Sequence, residues 1–174
     1  EPPGDGPSRG VPPRRKISDS PALRVGRQGW HANAGAELVG YAKANPGKLG
    51  YASAGYGNHA ELAAELLLAR AGIKAVHVPY KGGAEMVTAV LSEQVQMTFP
   101  DISILLPLIQ DKKIKALAVT SAWRHPQLPE VPTMAESGMP DYVTTFWTGV
   151  GGANGTPAAI LDQPNASITA RLKS

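Results

Sequence analysis

A chain of 174 residues is long enough to bury one ordinary core, and the lack of any cysteine excludes disulfides, zinc–thiolate sites and a thiol nucleophile. The formal charge of +3 and a pI near 9.2 suggest nucleic acid at first sight. However, six basic and three acidic residues within the first thirty account for the whole excess, so the rest is neutral and offers no broad field for a phosphate backbone. No run of about 18 apolar residues occurs, so no segment reads as a membrane span, and no signal-peptide pattern opens the chain.

Residues 1–33 are rich in Pro, Gly and Arg and show no apolar period. They read as disordered or extended, or as a leader foreign to the rest of the chain. A basic arm for nucleic acid or lipid is the functional alternative, but Trp30 is the single aromatic residue there. Order is expected from Gly35. Ala36, Leu38, Val39 and Ala42 belong to a short helix ending at Asn45-Pro46-Gly47, where proline forbids continuation. Leu49–Ala52 reads as a strand. Ser53-Ala54-Gly55-Tyr56-Gly57 reads as a tight loop whose glycines are free to take positive φ. A helix comes next, from about His59 to Ala71, capped by Asn58 or Ser53 and stopped by Gly72, with Leu62, Glu65, Leu66 and Ala69 on nearby faces.

The same alternation continues downstream. Ala75–Val78 is a predicted strand closed by Pro79, and Tyr80-Lys81-Gly82-Gly83 a loop. A helix runs from Ala84 to about Ser92, with Met86, Val87, Val90 and Leu91 at helical spacing. Val95–Phe99 is a strand, Pro100-Asp101 a turn, Ile102–Gln110 a helix carrying Pro107, and Lys115–Thr120 a further strand. Residues 123–141 are a Pro-rich connector in which Thr133 caps a short turn toward Ser137. Tyr142–Trp147 reads as a fifth strand, Gly151–Gly155 as flexible, and Pro157 as the opening of a last helix interrupted by Pro164. Alternating strands and helices predict an α/β fold with a mainly parallel sheet. Ligands of such sheets sit beyond the carboxyl ends of the strands, so the loops at 53–58, 79–83 and 100–101 should open on one edge.

The first of these loops is an anion-site candidate. The opening turn of a helix has unpartnered N–H groups and about half a positive charge, and glycines in front allow close approach. A carboxylate or phosphate is the expected ligand, and the alternative is an ordinary βα connection. The loop lacks the Gly-Lys-Ser/Thr ending of a nucleotide-binding P-loop. His59 would either help bind a carboxylate as a cation, against the helix dipole, or hydrogen-bond the loop. Asp101 would either accept from an amino or hydroxyl group of a ligand or bond its own turn. His77 reads as a satisfied core or edge residue, His31 and His125 as solvated, and Lys81 as either an anion partner or a solvated loop lysine. Ser53, His59 and Asp101 form a hydrolytic triad only on paper, because Ser53 does not sit in a Gly-x-Ser-x-Gly elbow. No spacing of His, Glu and Asp suggests a metal site, and no cofactor is implied.

Several motifs, in order, carry a family resemblance: Asn45-Pro46-Gly47-Lys48-Leu49, Tyr51 through His59, His77-Val78-Pro79-Tyr80-Lys81-Gly82, Lys115 through Thr120, and Leu128 through Thr133 with Glu136-Ser137-Gly138. From about Glu37 to Lys173 the chain resembles the Bug family, the extracytoplasmic solute-binding proteins of tripartite tricarboxylate transporters. The resemblance implies a periplasmic receptor of type II periplasmic-binding-protein architecture, without catalysis, whose two α/β lobes close on a small carboxylate. It further implies membrane transporter components as partners, and a monomer is expected. One carboxylate is held in this family by main-chain amides of a loop on each lobe. The second-lobe loop corresponds to Ser53, Ala54, Gly55, Tyr56, Gly57 and Asn58, with His59 beside it, and Asp101 takes the place of an acid that often meets the ligand's variable part. On this reading residues 34–150 are the second lobe and 151–174 a truncated return toward a largely absent first lobe. Two alternatives remain: a non-binding remnant of such a receptor, and a small α/β enzyme using Asp101 and His59 as acid and base.

Overall fold

The computed structural model describes residues 13–26, 34–151 and 155–172. In chain order these form β1 (Pro13–Pro21), β2 (Leu23–Gly26), α1 (Ala34–Ala44), β3 (Gly50–Ser53), α2 (His59–Ala71), β4 (Val76–Pro79) and α3 (Gly83–Leu91). They continue with β5 (Met97–Thr98), α4 (Ile102–Gln110), β6 (Lys115–Val119), β7 (Thr145–Gly151) and α5 (Ala158–Leu172). Two units are formed. The larger is Ser20–Phe146; the smaller draws on residues up to Asp19 and from Trp147 onward.

The larger unit is built on a five-stranded sheet of order β4-β3-β5-β2-β6. β3 runs parallel to β4 and β5, while β2 runs antiparallel to β5 and β6. Four strands therefore share one direction and β2 is reversed among them, so the sheet is mainly parallel. Of the segment 1–33, read as disordered or extended, β2 takes the extended form as a paired strand. Leu23–Gly26 pairs with two neighbours, and Ala22 is fully buried with its N–H on Thr120 Oγ1 at 3.1 Å. Leu23-Arg24-Val25-Gly26 is too short to show a period; its order comes from strands distant in sequence. His31 lies outside the described residues.

Helix α2 keeps its expected bounds because its local signals agree. Asn58 Oδ1 accepts from the N–H groups of Ala60 at 2.8 Å and Glu61 at 3.3 Å, and Gly72 closes the helix at φ +63°. Ser53 is not the cap. The buried stripe is Ala60, Ala63, Ala64, Leu67 and Leu68, whereas Leu62 is exposed. The small alanines put that stripe against the sheet, and leave the larger Leu62 outward.

In the connector, Thr133 Oγ1 accepts from Glu136 N–H at 3.1 Å, and Glu136 Oε2 accepts from Thr133 N–H at 2.7 Å. This reciprocal cap forms as expected. The Arg124 side chain, then the Thr133 N–H, hold the Glu136 carboxyl below its usual range.

Two other expectations need correction. Tyr142 is not in a strand: it is fully buried, its hydroxyl donates to Ala63 O at 2.6 Å, and β7 begins only at Thr145. A large aromatic side chain that reaches a helix carbonyl gains more there than on an exposed strand. In the smaller unit, where β1 and β7 form a two-stranded sheet, α5 runs through Pro164 instead of breaking at it. Proline removes one N–H and crowds one carbonyl, which bends a helix without ending it when turns persist on both sides.

Candidate functional site

The shared direction of β3, β4 and β5 sends the loops after Ser53, Pro79 and Thr98 to one edge of the sheet. A cavity of about 200 Å³ opens there, lined by Ala54, Asn58, His59, Gly83 and Asp101 together with Met86, Phe99, Pro100, Ile104 and Phe146. All three loops expected at that edge contribute to it. Apolar side chains make most of the wall and Asn58, His59 and Asp101 supply its polar part, the usual make-up of a small-molecule site. A larger cavity of about 420 Å³ lies by the amino end of β6, lined among others by Ile114, Lys115, Leu117 and Val131. It shares no residue with the three loops.

Of the residues expected at the site, Ala54, Asn58, His59 and Asp101 come together on the cavity, and Ser53, Gly55, Tyr56 and Gly57 do not line it. Ser53 is buried, with its hydroxyl on the Gly55 carbonyl at 3.0 Å and accepting Gly55 N–H at 3.1 Å. Gly57 N–H is held by the Glu61 carboxylate. Tyr56 is 81% exposed. Several amides expected to be open are therefore already bonded within the protein. The N–H groups of Asn58 and His59 make no hydrogen bond among the described residues, and these are the donors left at the front of α2.

The expected hydrogen bond from the His59 ring to the loop does not form at Nε2. Its Nε2 is buried without a partner among the described residues, and its ring meets Phe146 edge-on at 5.6 Å. Burial pushes the imidazole below the ordinary histidine range, and the charge of Asp101 pulls the other way. His59 thus brings to the site a buried polar atom without a partner among the described residues. A depressed folded pKa means that the folded state takes up this proton less readily than the unfolded chain. Its contribution is present above the unfolded value and is lost as pH falls through the folded value. His59→Phe should therefore lose less stability than the parent between pH 7.5 and pH 5 in urea denaturation. Parallel loss in both proteins would contradict the assignment.

Asp101 takes up the turn role with one oxygen: Oδ1 accepts from Ser103 N–H at 2.8 Å and caps α4. Lys81 is not on the cavity, and its main-chain N–H is bonded by Glu85 Oε2 at 3.1 Å. His125 accepts from Gln127 N–H at 3.3 Å within its own loop.

The residue that sequence reasoning undervalues is His77. Its Nε2 lies 2.5 Å from Ser53 Oγ and its Nδ1 3.4 Å from Glu61 Oε1. A signal for it exists in the chain. Tyr51 and Ser53 share one strand face, Glu61 and Glu65 are four apart on the next helix, and His77 falls in register with Tyr51.

The family model described as the tripartite tricarboxylate transporter family receptor matches residues 10–173. A protein from the tcbD-tcbE intergenic region of Pseudomonas sp. (strain P51) is 43% identical over 133 residues, covering 76% of this chain and 40% of that protein. Among solved structures, that of Rpa4515 from R. palustris with adipate superposes with a TM-score of 0.89 at 33% identity, covering 98% of this chain and 57% of the other. The periplasmic binding protein BugD gives a TM-score of 0.83 at 32% identity, covering 91% and 53%. The chain spans about half the length of the relatives it matches.

Proposed function

Because the chain belongs to the tripartite tricarboxylate transporter receptor family, we propose that it serves a periplasmic receptor that captures a small carboxylate and hands it to the membrane components of the transporter. In this reading Ser20–Phe146 is one α/β lobe of the receptor and the cavity at its sheet edge receives the ligand. The observation that carries the proposal is the meeting of the three strand-end loops around Asn58 and His59, whose main-chain N–H groups are unbonded at the front of a 13-residue helix. Such donors hold an anion through fixed partial charges and require no reaction. The adipate of the R. palustris structure supports a dicarboxylate as the first ligand to try. Asp101 and His59 would meet the part of the ligand beyond the bound carboxylate, and the apolar wall would pack its carbon chain. The family is one of solute-binding receptors, and we assign the chain no catalysis, cofactor or metal. It would act as a monomer.

Thermal denaturation against a panel of dicarboxylates, tricarboxylates, acidic amino acids and aromatic acids tests this. At least one acid should raise the melting temperature, and the rise should grow with concentration as linkage requires. No response to any acid would sink the proposal.

A further inference from the structure

The sequence Asn58-His59-Ala60-Glu61 at the front of α2 has the form of a reciprocal helix cap. In such a box the cap side chain bonds an N–H of the first turn, and the acid three residues on returns to the cap's own N–H. Both halves form at Thr133 and Glu136. At α2 the first half forms, with Asn58 Oδ1 on the Ala60 and Glu61 N–H groups. The second half does not. Glu61 reaches one residue further back, where Oε2 accepts from Gly57 N–H, and the Asn58 N–H makes no hydrogen bond among the described residues. Glu85 follows the same course at the front of α3, accepting Lys81 N–H ahead of the Gly82 cap. Asn58 and Gly83 line the cavity at the sheet edge; Thr133 and Glu136 do not. Incomplete caps thus stand where a ligand is expected, and the complete one stands elsewhere.

Glu61 is held in this pose from two sides. Gly57, which donates to one of its oxygens, stands at φ +72°, so the chain turns left-handed directly before the cap. The other oxygen, Oε1, faces His77 Nδ1 of β4 at 3.4 Å, a contact that a neutral ring with its proton on Nδ1 makes as well as a charged one. The ring itself is fixed: Tyr51 stacks on it at 4.9 Å with planes 9° apart, and Ser53 Oγ lies 2.5 Å from Nε2. The Glu61 side chain is 16% exposed, so it lies folded against the loop and does not extend into solvent. Had the box closed, a carboxylate of the protein would sit on the donor at which the ligand's carboxylate is expected.

We propose that Glu61 is a positioning residue of the anion site: it ties down the turn at Gly57 and leaves the Asn58 N–H open for the ligand's carboxylate. The ligand half rests on the receptor reading; the placement of Glu61 does not. Two effects of this side chain oppose each other. Its negative charge repels an anion, whereas its hold on Gly57 fixes the residue next to the donor. Gly57 adjoins Asn58 directly, so freedom at the turn becomes freedom of the donor, and ordering it then falls to the ligand. The hold outweighs the charge because both carboxylate oxygens already have partners.

The test uses the full 174-residue chain. Adipate titration calorimetry is run on the parent, Glu61→Ala and Glu61→Gln, with urea denaturation as the check that each is folded. Glu61→Ala should weaken adipate about fivefold, the worth of one hydrogen bond. Glu61→Gln still offers Gly57 an oxygen and should recover that loss. Equal or tighter binding in Glu61→Ala, or a loss in Glu61→Gln as large as in Glu61→Ala, overturns the proposal. Amide hydrogen exchange without ligand reads the placement. The Gly57 amide should be protected in the parent and in Glu61→Gln and exchange faster in Glu61→Ala, while the Asn58 amide exchanges freely in all three. A protected Asn58 amide in the parent, or a Gly57 amide that exchanges alike in the parent and Glu61→Ala, overturns the placement. If the exchange is as expected and neither adipate nor the wider acid panel binds, the receptor reading falls and the placement of Glu61 stands.

Discussion

Truncating Leu67 to alanine is expected to cost about 3 kcal/mol of folding stability, measured as the shift in urea-denaturation free energy. Leu67 is fully buried on the stripe that α2 turns toward the sheet. Removing its isobutyl group forfeits the transfer free energy of the lost atoms and leaves space that the packed neighbours fill only partly. Leu62→Ala on the same helix should stay within about 0.5 kcal/mol, because its side chain is 60% exposed. The pair fixes which face of α2 carries the helix. Equal losses at the two positions would show that the stripe has been misassigned, and with it the orientation of the residues at the helix front.

Gly55→Val should weaken adipate binding by at least about tenfold while the chain stays folded, as read by calorimetric titration alongside urea denaturation. Gly55 stands at φ +112°, a conformation that side-chain-bearing L residues rarely adopt, and an added Cβ would meet nothing within 4 Å. The penalty is therefore one of backbone strain and not of collision, about 1–3 kcal/mol. It falls on a residue whose N–H and carbonyl are both tied to Ser53. Relief of that strain moves the loop, and with it the donors of Asn58 and His59. Unchanged affinity in a folded variant would mean that the loop does not hold the anion. The five-stranded sheet should tolerate the substitution, since Gly55 lies beyond the end of β3 and pairs with no strand.

What could be read from the chain is what neighbours along the chain decide. Asn58, the alanine and leucine run, and Gly72 each act within one helical turn, and so α2 falls at its expected bounds, as does α4 behind Asp101. The meeting of three loops at one edge was also legible in the sequence, because alternating strands and helices constrain strand direction. Tertiary structure decided the rest. Whether Leu62 or Leu67 faces the sheet depends on what the sheet presents to the helix, and propensity is blind to it. Leu23–Gly26 became a strand because β5 and β6 offered unpaired edges on both sides, a contact across more than seventy residues. Tyr142 left its expected strand for a carbonyl on a helix 79 residues earlier. His77 shows the same division: its strand was legible, but its ring is engaged by Ser53 and Glu61, groups that only folding brings within hydrogen-bonding or ion-pair reach.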